Sequence, residues 1–317
     1  MNLNIPIYET VSGCKSILVA GMGGGFDILC GLPVYFELKH QGKNVHLASF
    51  SFSDIVTYHG GIELTQTLKG VSEENNQHTG YFPELHLSRW FSKTLHEKTV
   101  IWCFHKTGAR PLLENYRILK DYLHADCIIL VDGGIDSLIR GDEPGTGTLI
   151  EDAISLFAVN ELEDVDTKIV GCIGLGIEPD LNYYHIFENI AALTEAGAFI
   201  GSCSLVPAMK SYELYQEAVT YVQSMPLQDP SVVNSSIVSA VQGHYANYHL
   251  TEKTKGSRLW ISPLMPIYWF FSLPTVAKHN LYLSSLANTE TFIQAMMTYM
   301  SFCEALKRRP REIIPLP

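Results

Sequence analysis

The chain has 317 residues, 46% of them hydrophobic and 17% charged, a composition that supplies a large core and leaves little room for disorder. Lys plus Arg number 22 against 33 Asp plus Glu, so the formal charge is −11 and a nucleic-acid backbone is argued against as partner. No apolar run is long enough to span a membrane, and the N-terminal MNLNIPIYETVSGCK has no basic segment leading into an apolar core, so a cytoplasmic protein is expected.

The length suits a single α/β domain over residues 1–317. Seven cysteines, Cys14, Cys30, Cys103, Cys127, Cys172, Cys203 and Cys303, are scattered without a CxxC pair and are expected as small core hydrophobes. Ser16–Ala20 is predicted as a buried strand, closed by Gly21-Met22-Gly23-Gly24-Gly25-Phe26-Asp27 and followed by a helix to about Gln41. Strand, glycine turn and helix together make an anion site, since glycines allow close backbone approach and amides at the helix start face the ligand. Gly21, Gly23, Gly24, Gly25 and Asp27 are therefore ligand-binding candidates, with Asp27 equally suited to capping the helix.

A nicotinamide cofactor is weakened on two counts. Phe26 stands where G-x-G-x-x-G needs its third glycine, and the second strand, Val45–Phe50, runs into Ser51-Phe52-Ser53-Asp54 with no ribose-binding acid at its end. Residues 55 to 98 read as a loop-rich insertion of irregular loops or short strands over the sheet edge. Thr99–Phe104 is a third strand ending at His105, and Arg110–Leu123 a helix.

The densest stretch is CIILVDGGIDSLIRGDEPGTGTLIED, residues 127 to 152. Cys127–Val131 is an apolar, β-branched-rich run of the kind buried on both faces, and Asp132-Gly133-Gly134 stops it. Six carboxylates follow in twenty-one positions, Asp132, Asp136, Asp142, Glu143, Glu151 and Asp152, with Arg140 among them. Hard oxygen ligands suit Mg²⁺ or Mn²⁺, so Asp132, Asp136 and Asp142 are the expected metal set. Asp132, Asp136, Arg140 and Glu143 are the catalytic candidates, and Gly133 and Gly134 ligand contacts. Thr148-Leu149-Ile150-Glu151 reads as a capping box, which makes Glu151 and Asp152 helix-dipole partners first and site residues second.

Strands near 168–174 and 198–201 alternate with helices near 149–160, 182–196, 210–224 and 231–242, which specifies a doubly wound, mostly parallel sheet with helices on both faces. Right-handed crossovers place all strand C-terminal ends on one edge, so Asp27, Asp54, His105, Asp132, Asp136, Glu178 and Asp180 are expected to gather there. The preference of turns for Asp and Gly accounts for part of this by itself. From about 243 to 317 the chain turns aromatic, and residues 260 to 271 are expected beneath the final helix, about 288 to 309, or in a homodimer contact.

The motifs GMGGGFD, VDGGIDSLIRGDE and GTGTLIEDA resemble the prokaryotic family known as domain of unknown function 1152, from about residue 14 to the final helix. The resemblance implies a cytoplasmic, Rossmann-like α/β protein and brings neither an activity nor catalytic residues. From the residues, the expected function is hydrolysis or group transfer on a phosphate-bearing small molecule, nucleotide-like or a sugar phosphate, with carboxylate and divalent-metal assistance. An NAD(P)-dependent oxidoreductase and a ligand-sensing module without chemistry are the alternatives.

Overall fold

The computed structural model describes residues 6–73, 80–145, 147 and 149–315. In chain order come α1 (Pro6–Thr10), β1 (Ser16–Gly21), α2 (Asp27–Cys30), α3 (Leu32–His40), β2 (Asn44–Ser51), β3 (Ile62–Thr65), β4 (Leu68–Val71) and α4 (Pro83–Trp90). Next are β5 (Ile101–His105), α5 (Ala109–Leu123), β6 (Cys127–Asp132), α6 (Ile150–Asn160), β7 (Thr167–Cys172), α7 (Tyr183–Glu195) and β8 (Phe199–Ser204). The chain closes with α8 (Lys210–Ser224), α9 (Val232–Val241), β9 (Ile267–Ser272), α10 (Leu273–His279) and α11 (Phe292–Ala305). Among the described residues no helix is long and apolar enough to cross a membrane.

The nine strands form one sheet in the order β3-β4-β5-β2-β1-β6-β7-β9-β8. β5, β2, β1, β6 and β7 are mutually parallel, while β4 and β9 pair antiparallel with their neighbours. This is a Rossmann-like α/β arrangement. β1 and β6 are buried at every position, which is why both read as unbroken apolar runs. Their side chains still alternate. Ile17, Val19, Ile129 and Val131 pack beneath α1–α4, α8 and α9, and Leu18, Ala20, Ile128 and Leu130 beneath α5–α7, α10 and α11. Each fully buried aliphatic side chain contributes about 1.5–3 kcal/mol to the two layers.

Two expectations are corrected by this packing. The helix to Gln41 is two helices, because Pro33 has no amide to continue the ladder, and α3 restarts with that proline in its first turn. Residues 260 to 271 do not simply pack under the final helix or form a contact surface; 267 to 271 supply most of β9, inserted between β7 and β8. Ile261, Met265, Tyr268, Phe270 and Phe271 are buried inside the chain, and only Trp260 and Leu264 of the large apolar residues stay exposed. The apolar argument for a homodimer contact in this run loses its basis. The insertion at 55–98 gives β3, β4 and α4, which extend the sheet beyond β5.

Chain direction reverses in the middle of the sheet. From β1 the strands proceed outward to β2 and β5, and α5 then returns the chain to β6 on the other side of β1. Loops leaving the C-terminal ends of β1 and β6 therefore diverge and open a crevice, the place where open α/β sheets bind ligands.

Candidate active site

A cavity of about 610 Å³ fills that crevice, with a floor made by the turns after β1, β6 and β7 and the first turn of α6. Asp27, Asp132, Asp136, Glu151, Asp152, Glu178 and Asp180 line it, together with Gly23, Gly24, Gly25, Gly133 and Gly147. Five of the seven residues expected at this edge are thus brought together. Asp54 instead accepts a hydrogen bond from the Thr57 hydroxyl at 2.7 Å, and His105, whose neighbour it is, stays outside the lining.

Three carboxylates from three elements converge. One oxygen from each of Asp27, Asp132 and Asp152 lies within 4.8 Å of the others. Asp27 accepts the Gly23 amide at 2.9 Å and is also supported by the amide of Gly133. The glycine turn is therefore partly filled by the chain's own carboxylate. A Cβ on Gly23 would stand 2.4 Å from Asp27 Oδ2 and 2.8 Å from Asp152 Oδ1, so no other residue fits where the two acids meet. Asp132 is oriented by Ser137, whose hydroxyl and amide donate to Oδ2 at 2.5 and 3.2 Å. Its Oδ1 is left beside Gly134, where Glu178 Oε1 also packs. Glu178 is held by the Ile135 amide at 2.8 Å and the Tyr183 hydroxyl at 3.2 Å. Asp152 is placed by α6, which is pinned to the glycine turn through Ser155 Oγ donating to Met22 O at 2.8 Å. Asp152 Oδ1 is buried and has no hydrogen-bond partner among the described residues.

Burial dominates the electrostatics here, with mutual repulsion second. It raises Asp27 to about 7, with the charges of Asp136 and Glu151 adding to it, and Asp132 to about 8, with Asp27 and Glu178 adding. Glu178 rises to about 8 by burial and by Asp136, and Asp152 rises well above the carboxylate range by burial and the surrounding acids. A buried carboxylate set that stays charged needs a cation.

The remaining sequence candidates lie apart from the cleft. Asp142 and Glu143 pair with Arg309 at 2.8 and 2.9 Å, and of the expected metal set Asp132, Asp136 and Asp142 only Asp132 is in the carboxylate cluster, with Asp27 and Asp152 in place of the other two. Glu143 also accepts the amides of Arg140 and Gly141 and the side chain of Asn189. Arg140 is absent from the lining, its charge falling on Glu188 and His279. This cluster latches the C-terminal segment to the 140–145 loop. Arg309→Ala is expected to lower the melting temperature by about 5 °C, because Glu143 is buried and would keep only neutral donors. Thermal unfolding monitored by circular dichroism checks it.

Gly21 ends β1 and packs against the backbone of α2, while Gly24 and Gly25 adjoin Phe52 at the cleft wall. Thr148, which opens the expected capping box, lies outside the described residues, and Leu149 takes the N-cap position of α6. Sequence reasoning passed over Phe52, Tyr81, Asp229, Ser231 and Lys253, all of which line the cavity. The Asp-Pro-Ser before α9 was a readable helix-start signal; nothing in the sequence tied it to this crevice.

Neither a curated protein nor a solved structure matches the chain. The family profile described as "Protein of unknown function (DUF1152)" matches residues 18–304, so every residue named in the cleft lining lies within the match and the chain belongs to that family.

Proposed function

We propose that the protein is a divalent-cation-dependent hydrolase or transferase acting on a phosphate-bearing small molecule, with Mg²⁺ or Mn²⁺ held by Asp27, Asp132 and Asp152. The observation that carries this reading is Asp152, whose Oδ1 is buried without a hydrogen-bond partner among the described residues and whose carboxylate meets two others at the crevice between β1 and β6. An unpaired buried acceptor of this kind costs about 1–3 kcal/mol, more when charged, and a cation removes that cost.

The cation would neutralise charge developing on phosphoryl oxygens. Glu178 is the group suited to give a proton to a leaving oxygen, since burial and the charge of Asp136 raise it to about 8, so that it carries a proton at neutral pH, and Ile135 and Tyr183 fix its orientation. Asp136, also buried in the lining, holds the negative potential that helps keep Glu178 protonated. Arg140 and Glu143 have no part in this scheme, because both lie outside the cleft.

Titration calorimetry with Mn²⁺ at pH 8 is expected to give one site per chain in the parent protein and none in Asp152→Asn. Phosphate release from a panel of phosphate esters and anhydrides should then require the metal. Absence of Mn²⁺ binding at millimolar concentration would discard the proposal.

A further inference from the structure

Another part of the cleft lining has a different chemistry. Asp229, Pro230, Ser231, Val232 and Val233 line it, and the last three residues form the N-cap and first turn of α9, a helix of ten residues. Ser231 Oγ accepts the Asn234 amide at 3.2 Å, while the amides of Val232 and Val233 have no intrahelical acceptor by the geometry of a helix start. Lys253 stands beside them as the sole basic side chain among the described lining residues, 3.6 Å from Asp229 and 41% exposed. So loose a pair leaves the ammonium group available to a ligand.

The third wall is aromatic. Phe52 is 45% exposed, yet its ring is fixed by Lys106 Nζ at 4.3 Å from its centroid and by contact with Gly24. Tyr81 lies beside it, held edge-on against Phe26 with ring centroids 6.2 Å apart. Ordered aromatic rings at the mouth of a polar cleft suit a flat ligand group.

Building on the metal site proposed above, we infer that the cleft takes a nucleoside diphosphate. Its phosphates lie between the cation at Asp27, Asp132 and Asp152 and the α9 start with Lys253, and its base lies on Phe52 and Tyr81. Two observations oppose the simpler placement of phosphate in the glycine turn: the Gly23 amide is already given to Asp27, and Gly133 supports the same carboxylate. The orphaned Asp152 Oδ1 supplies the independent sign of a cation, and a cation offsets the repulsion a diphosphate would otherwise meet from the floor. At about 610 Å³ the cavity matches a whole organic ligand rather than an isolated phosphate ion.

The test is calorimetric titration of the full chain, saturated with Mn²⁺, with ADP, GDP, UDP and CDP, with inorganic pyrophosphate and with glucose 6-phosphate. At least one nucleoside diphosphate is expected to bind about tenfold or more tightly than pyrophosphate and glucose 6-phosphate. Lys253→Ala should weaken both that nucleotide and pyrophosphate, by roughly 5- to 10-fold. Phe52→Ala should weaken the nucleotide about tenfold and leave pyrophosphate unchanged. Mn²⁺ binding itself should be the same in both variants, which also shows that they fold. If Mn²⁺ binds and no nucleoside diphosphate does, or if Phe52→Ala weakens pyrophosphate as much as the nucleotide, this ligand assignment falls while the metal site stands. If Mn²⁺ does not bind, the metal reading and this inference fall together.

Discussion

Stabilisation of the protein by millimolar Mn²⁺ or Mg²⁺ is expected to rise from about 2 °C or less at pH 6 to about 10 °C at pH 8.5. The cause lies in the acids of the cleft floor, raised to about 7 for Asp27 and about 8 for Asp132 by burial and mutual repulsion, with Asp152 raised well above its usual range. In the folded, metal-free protein these groups hold protons that the unfolded chain has released above about pH 4. Their contribution to stability is therefore fully present below that pH and is lost as pH rises through about 7 to 8. A cation must displace those protons, so it gains little at pH 6 and most where the empty site is forced to be charged. Comparing melting temperatures with metal against those with EDTA at each pH cancels titrating groups elsewhere, such as the half-buried His46, His105 and His279. A metal effect that is flat between pH 6 and 8.5 would mean that the carboxylates are not the ligands.

The extent to which this site was legible follows from where its residues lie. β1, β2, β5, β6 and β7 announce themselves because central parallel strands are largely buried on both faces and leave apolar runs that glycine or polar residues terminate. Asp27 and Asp132 follow from the strand-end rule alone. β9 was hidden because prolines precede it and because its partners, β7 and β8, lie far away in the chain; only the sheet order shows that Phe270 and Phe271 are core rather than contact surface. Asp152 was discounted for a sound local reason. Helix dipole and cation site ask for the same residue in the same first turn, and burial, which separates them, cannot be read from the sequence. The reverse happened at Asp142 and Glu143, whose partner Arg309 is more than 160 residues away. No spacing argument connects them.

Asp152→Asn should give the clearest result of any single substitution in the cleft, abolishing the metal-dependent rise in melting temperature without destabilising the metal-free protein. An asparagine side chain reproduces the shape of the protonated acid, and since Asp152 Oδ1 has no hydrogen-bond partner, no interaction is lost there. Near pH 6 the metal-free variant should melt within about 2 °C of the parent; near pH 8.5 it should melt higher by on the order of 5 °C, having removed a buried charge from beside Asp27 and Asp132. Asp132→Asn makes the contrast. It loses the same metal response, but Asp132 Oδ2 accepts two bonds from Ser137, which become charge-assisted as pH rises past about 8, and weakening them there costs about 1 kcal/mol. The metal-free Asp132 variant should therefore melt below the Asp152 variant near pH 8.5. Differential scanning calorimetry of the three proteins with EDTA and with Mn²⁺ separates a cation site from a structural role. If Asp152→Asn lowers the metal-free melting temperature and leaves the response to Mn²⁺ intact, the carboxylate serves the fold of α6 against the glycine turn, and the metal-dependent reading of the cleft does not survive.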